Sequence, residues 1–121
     1  LSRVTPTDFE GLRPLFLSMS TARSSGLNGP GTVVVSAYPN YLSGCSIISD
    51  SSNTGTLTVY DSADGVTNMV DSRILARVTA TTTTGSNSLT IVLPIRAEYG
   101  LTAVVSGTGT PKAVVIYGGA S

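Results

Sequence analysis

The chain has no His, no Trp, a single Cys (Cys45) and a single Lys (Lys112). Without His, neither a Ser-His-Asp nor a Cys-His arrangement can form, because the base that activates the nucleophile is missing. One Cys forms no intramolecular disulfide, so no disulfide framework supports the fold. Charge is sparse: 12% of residues are charged, with seven basic and seven acidic side chains and no net charge. A nucleic-acid binder concentrates positive charge on one face, and the nearest approach here is Arg73 with Arg77. Apolar runs are only a few residues long, far short of the roughly 20 needed to span a bilayer. The N-terminus carries no signal-peptide pattern of basic region, apolar core and small-residue cleavage site.

What is present is a β-rich composition. With 40% hydrophobic residues over 121 positions, the chain can bury one core, which predicts a single domain rather than disorder. Residues 1–30 hold both phenylalanines (Phe9, Phe16) and are broken by Pro6, Gly11 and Pro14, whereas residues 31–121 form a string of short alternating segments. Period-2 alternation and β-branched enrichment predict strands over Thr32–Tyr38, Leu42–Ser49, Thr56–Tyr60, Arg73–Thr79, Ser88–Leu93, Leu101–Val105 and Ala113–Tyr117. Within these, Val33, Val35, Ala37, Leu57, Val59, Ile74, Ala76, Val78, Leu89, Ile91 and Leu93 are expected on inward faces. Arg73 and Arg77 are expected in solvent.

Asn53-Thr54-Gly55, Asp64-Gly65, Gly85-Ser86-Asn87 and Gly107-Thr108-Gly109 supply the turns, because these residues tolerate positive φ. Seven or eight short strands with no helical period predict an all-β fold, an antiparallel β-sandwich or jelly roll, with an extended N-terminal arm.

Few residues remain as candidates for chemistry. Lys112 follows a hairpin-like Gly-Thr-Gly-Thr-Pro and reads as a solvated lysine. Cys45 lies in an apolar strand with no cation beside it to lower its pKa, and reads as a buried structural thiol. Asp61 and Asp64 satisfy a turn better than a glycosidase pair, which needs two carboxyls across a cleft. Asp50 to Asp61 echoes a calcium loop but lacks its helices and terminal Glu. Gly107-Thr108-Gly109 lacks the residues of a phosphate loop. The threonine-rich Thr79–Asn87 stretch reads as a hairpin tip. No catalytic, cofactor or metal site is expected.

The N-terminal zone is the candidate for partner binding, with Phe9, Leu12, Leu15 and Phe16 as its anchors. Phe9, Leu12, Phe16 and Met19 follow helical spacing, whereas Leu15, Leu17 and Met19 alternate as a strand would. These residues are either the first strands of the sandwich or an arm docked on a neighbouring subunit.

The stretch Ser88–Gly118 (SLTIVLPIRAEYGLTAVVSGTGTPKAVVIYG) is similar to small virion proteins of tailed bacteriophages. Its features are a strand ending in Leu-Pro, then Tyr-Gly-Leu, Ser-Gly-Thr-Gly and a final Val-Ile-Tyr-Gly. Gly55–Ser62, a strand ending in a Tyr-Asp turn, resembles the central hairpin of the same group. The resemblance covers residues 31–118 and implies a non-enzymatic structural component: a head decoration or cement protein, or a head-fibre or tail-associated module. It further implies a homo-oligomer, with a trimer favoured, bound to the major capsid protein or another virion protein on particles assembled in the host cytoplasm. No nucleic acid or membrane is expected as partner. The competing expectation is a carbohydrate-binding adhesin module that uses the Thr79–Asn87 or Asp61–Asp71 loops, with tyrosines stacking on sugars.

Overall fold

The computed structural model describes residues 23–50 and 52–118. The anchors Phe9, Leu12, Leu15 and Phe16 lie outside the described residues. Eight strands follow one another: β1 (Arg23–Asn28), β2 (Gly31–Ser36), β3 (Asn40–Ile48), β4 (Gly55–Asp61), β5 (Ile74–Ala80), β6 (Ser86–Ala97), β7 (Leu101–Gly107) and β8 (Lys112–Gly118). A 3₁₀ turn, Asp71–Arg73, precedes β5. The strands form two four-stranded antiparallel sheets, ordered β1-β8-β3-β6 and β2-β7-β4-β5.

This order is that of a jelly roll. The chain behaves as one long double ribbon, with β4 beside β5 at its tip and β3–β6, β2–β7 and β1–β8 paired in succession behind it. Rolling the ribbon adds the closing pairs β3–β8 and β4–β7. The expected sandwich is therefore present. It also has a strand that the sequence conceals: β1 carries one buried apolar side chain, Leu27, and owes its conformation to pairing with β8. At least part of the 1–30 zone thus belongs to the sandwich.

The core lies between the sheets. Leu42, Cys45, Ile47 and Val115 from one sheet meet Leu57, Val59, Leu101 and Val105 from the other, with Ala76, Ala80, Ala97, Ala103 and Ala113 between them. Among the described residues no aromatic side chain is fully buried, and the largest enclosed side chains are Leu and Ile. The inward positions Leu57, Val59, Ala76 and Val78 fall where alternation places them.

Four inward expectations fail: Val33 is 42% exposed, Leu89 38% and Leu93 76%, and Ala37 is exposed just past the end of β2. Leu89 lies on β6, an edge strand of its sheet. Val33 lies on β2, at the edge of its sheet, where cover from the opposite sheet thins. Leu93 belongs to a break in β6: the pairing with β3 jumps from Gly44↔Thr90 to Leu42↔Ile95, so residues 91–94 face Ser43 alone. This four-residue bulge turns Val92 and Leu93 into solvent, and Pro94 sits in it on an edge strand, where a missing N–H costs nothing. Gly44 is required beside the bulge, because a Cβ there would stand 2.9 Å from the Leu89 carbonyl oxygen.

Leu57, with no solvent exposure, sits mid-core on β4. Leu57→Ala is expected to destabilise the fold by about 3 kcal/mol, the usual cost of a Leu-sized cavity. Urea unfolding at neutral pH measures it, and a loss under about 1 kcal/mol would contradict the core as described.

Candidate functional site

The registers divide the loops between two poles. One pole, here the terminal pole, collects Arg23 and Gly118 with the β2–β3, β4–β5 and β6–β7 connections. The opposite pole collects the β1–β2, β3–β4, β5–β6 and β7–β8 connections. The two poles have different chemistry.

At the terminal pole β4 ends in Asp61, which is 4% exposed. Its Oδ1 accepts the Tyr99 N–H at 2.8 Å and the Gly100 N–H at 3.3 Å, and its Oδ2 accepts the Glu98 N–H at 3.0 Å. A carboxylate that takes three amide donors caps the β6–β7 turn, which crosses between the two sheets. Arg73 lies alongside, its Nη1 3.4 Å from Glu98 Oε1 and 3.9 Å from Asp61 Oδ2, with the guanidinium 5.3 Å from the Tyr99 ring centre. Gly100 is needed at the third position because a Cβ would come within 2.9 Å of the Ser62 carbonyl oxygen.

After Asp61 the chain folds back over the outer face of its own sheet. Ser62 and Thr102 are fully buried, the Thr102 hydroxyl donating to the Ser62 carbonyl at 2.9 Å. Asp64 accepts from the Val66 and Thr67 N–H groups at 2.9 and 2.7 Å and from the Thr67 hydroxyl at 2.9 Å. These donors hold its carboxyl down at about 2, against an ordinary 3.8, with the Val66 and Thr67 amides as the main cause. Gly65 bends at φ 74° beside the methyls of Val34 and Thr32. Both carboxylates of the suspected pair thus organise backbone.

The same pole carries a groove of about 710 Å³, within the range of roughly 300–1,000 Å³ usual for binding sites. One wall is the β2–β3 connection with Tyr38, Pro39 and Asn40; the other is Arg96 of β6 and Tyr117 of β8. Tyr38 is 77% exposed. Tyr41 holds Arg96 in place, accepting its Nη1 at 3.3 Å with the ring centre 5.5 Å from the guanidinium carbon. Among the described residues no carboxylate lies within ion-pair distance of Arg96. A guanidinium held by Tyr41 in a groove also lined by Tyr38 and Tyr117 is suited to a carboxylate carried beside an apolar or aromatic group.

The opposite pole is closed on itself. Asp50 accepts from the Ser52 N–H at 2.9 Å and from the Thr110 N–H at 3.3 Å, and these amide donors lower its pKa. Asn53 accepts the Thr108 hydroxyl at 2.6 Å, tying the β3–β4 loop to the β7–β8 turn. Thr81 and Thr84 bond reciprocally, each hydroxyl accepting the other's N–H, so the threonine-rich stretch is an ordered hairpin turn. Asp50 and Asp61 sit at opposite poles and cannot share a calcium ion. Lys112 is exposed beside Ser49, but the Ser49 hydroxyl donates to the Thr81 and Gly85 carbonyls. Cys45 is buried, which pushes its thiol pKa up. Among the described residues no three His, Cys, Asp or Glu side chains cluster as metal ligands.

Sequence reasoning did not find the groove. Its residues come from four strands and a loop, and none belongs to a local motif.

Replacing Asp61 by Ala is expected to cost about 3 kcal/mol in urea unfolding, since three N–H donors lose a charged acceptor. Asp61→Asn, with a donor amide in place of one oxygen, is expected to recover less than half of it. For Asp64 the carboxylate's contribution is complete above its unfolded pKa of 3.8 and disappears as pH falls toward about 2. Asp64→Asn is therefore expected to lower the urea midpoint at pH 6, with the difference from the parent protein closing between about pH 4 and 2. A pH-independent difference would show that the charge has no part.

The chain matches no protein-family model, and no curated protein aligns with it.

Proposed function

We propose that this protein is a non-enzymatic structural subunit of a tailed-bacteriophage particle, a jelly-roll module that decorates or cements the head or forms part of a fibre. The observation that carries this reading is where the phage-like stretches fall in the fold. Ser88–Gly118 forms most of β6 and all of β7 and β8, which belong to both sheets. The Tyr60-Asp61 turn is the clamp that joins them. The resemblance therefore lies in the residues that build the sandwich. Jelly rolls of this kind are common in capsid proteins.

The charged side chains support a module that works by contact. Asp50, Asp61 and Asp64 cap backbone amides, and the hydroxyls of Ser49, Ser62, Thr81 and Thr84 are bonded internally. Nothing in these arrangements activates a nucleophile. A subunit repeated over a lattice needs only modest contacts at each copy, because attachment at several points raises the effective concentration of the rest. In this reading the protein is a homo-oligomer, a trimer by preference, and Phe9, Leu12, Leu15 and Phe16 are the apolar anchors toward the neighbouring virion subunit.

Binding to purified phage heads that lack the protein tests the proposal, with light scattering of the free protein alongside. The expected result is an oligomer that sediments with heads, and at least a tenfold loss of binding when the four anchors are changed together to Ser. Unchanged circular dichroism shows that the sandwich survives the change. A folded protein that does not sediment with heads, or an anchor variant that binds as well as the parent, would overturn it.

A further inference from the structure

The terminal-pole groove has a feature that the fold leaves unanswered: Arg96 is positioned by Tyr41, yet no described carboxylate meets it. The acidic side chains of the chain narrow the choice of partner. Asp50, Asp61 and Asp64 cap loops, Glu98 pairs with Arg73, and Asp71 stands exposed on the 3₁₀ turn. The two that remain, Asp8 and Glu10, flank Phe9. This tripeptide has the chemistry that the groove selects, an aromatic ring between two carboxylates.

The chain path makes the match feasible. Residues 1–22 join the fold at Arg23, which pairs with Tyr117, one of the groove's own walls. From β1 the row runs through β8 and β3 to Arg96 on β6, about 15 Å at the usual spacing of strands. Residues 11–22 can span at most about 40 Å when extended, so Asp8–Glu10 can reach the groove of its own copy or of an adjacent one.

We propose that the Asp8–Phe9–Glu10 segment of this chain occupies the groove between Tyr38 and Tyr117, its carboxylates on Arg96 and its ring against the tyrosines. The inference does not rest on the virion reading but refines it: with Phe9 seated in the groove of its own or an adjacent copy, Leu12, Leu15 and Phe16 are the anchors left for a neighbouring virion protein. The segment supplies the carboxylates that no described side chain brings to Arg96, beside the exposed Tyr38.

The test uses the full chain with cysteines placed outside the contact itself. Thr7→Cys is combined with Ala37→Cys at the groove, or with Val66→Cys, which is on the same pole, 80% exposed and outside the groove. Cys45 is buried and stays out of the reaction. Under mild oxidation the Ala37 pair is expected to cross-link at least tenfold faster than the Val66 pair. Arg96→Glu is expected to slow it at least tenfold, and Asp8→Arg with Glu10→Arg in that background to restore it. The product's mass, one chain or two, tells which copy supplies the segment, and either is occupancy of the groove. Equal rates at Ala37 and Val66 would overturn the proposal. So would a folded Arg96→Glu variant, or Arg96→Gln if Glu prevents folding, that cross-links as fast as the parent pair.

Discussion

The Asp61 carboxylate is the contact on which most of the terminal pole depends. It ends β4 in one sheet and accepts the three amides of the turn that carries the chain from β6, in the other sheet, back to β7. A two-sheet sandwich is held mainly by apolar burial, which is non-directional and does little to set how one sheet rotates over the other. A buried carboxylate aimed at three converging amides is directional. It fixes where the sheets cross, and the residues around it follow: Gly100 because the end of β2 and the loop after β4 pass too close for a side chain, and Arg73 because one cation steadies both this acid and Glu98.

With few aromatic residues, the protein achieves close packing by a different route. Its core is a thin layer of Leu, Ile and Val with alanines where the sheets approach. Such a core has little spare volume, and the outer faces are correspondingly used as well. The loop after β4 lies over Thr32, Val34 and Thr102, and the Arg77 guanidinium covers Thr58, with Nε 3.1 Å from its hydroxyl. Threonine suits these positions because its methyl packs while its hydroxyl finds a partner. At Thr58, Ser62 and Thr102 the hydroxyl-rich composition is internal structure, whereas the threonines of the 82–84 turn are exposed.

How much of this was legible in the sequence depended on how local its cause was. β4 and β5 alternate cleanly, and their inward residues are where the pattern places them. The turns at Asp64-Gly65 and Gly107–Gly109 follow from side-chain and glycine preferences that act within a few residues. β1 was hidden because its strand character comes from β8, far along the chain. The exposure of Leu93 was hidden because it comes from a mismatch in strand length with β3, which no window of β6 contains. Asp61 reads as a turn residue that caps nearby amides; only the fold shows that the amides it takes belong to residues 98–100, far along the chain. The groove is the extreme case, assembled from β2, the β2–β3 connection, β3, β6 and β8.

The nesting of the ribbon also bears on how the molecule comes together. The β4–β5 pair joins neighbours in the chain, whereas each outer pair closes a longer loop, ending with β1 on β8 from opposite ends of the described chain. Loop-closure entropy grows with each step, so the ribbon assembles most economically from its tip outward, and a topology this rich in distant contacts folds slowly. The last strand to arrive is the one with a single buried anchor, Leu27. It is also the strand through which residues 1–22 join the rest. Any pull on that segment is borne first by the part of the sandwich that opens most readily, which makes β1 the mechanical fuse of the fold.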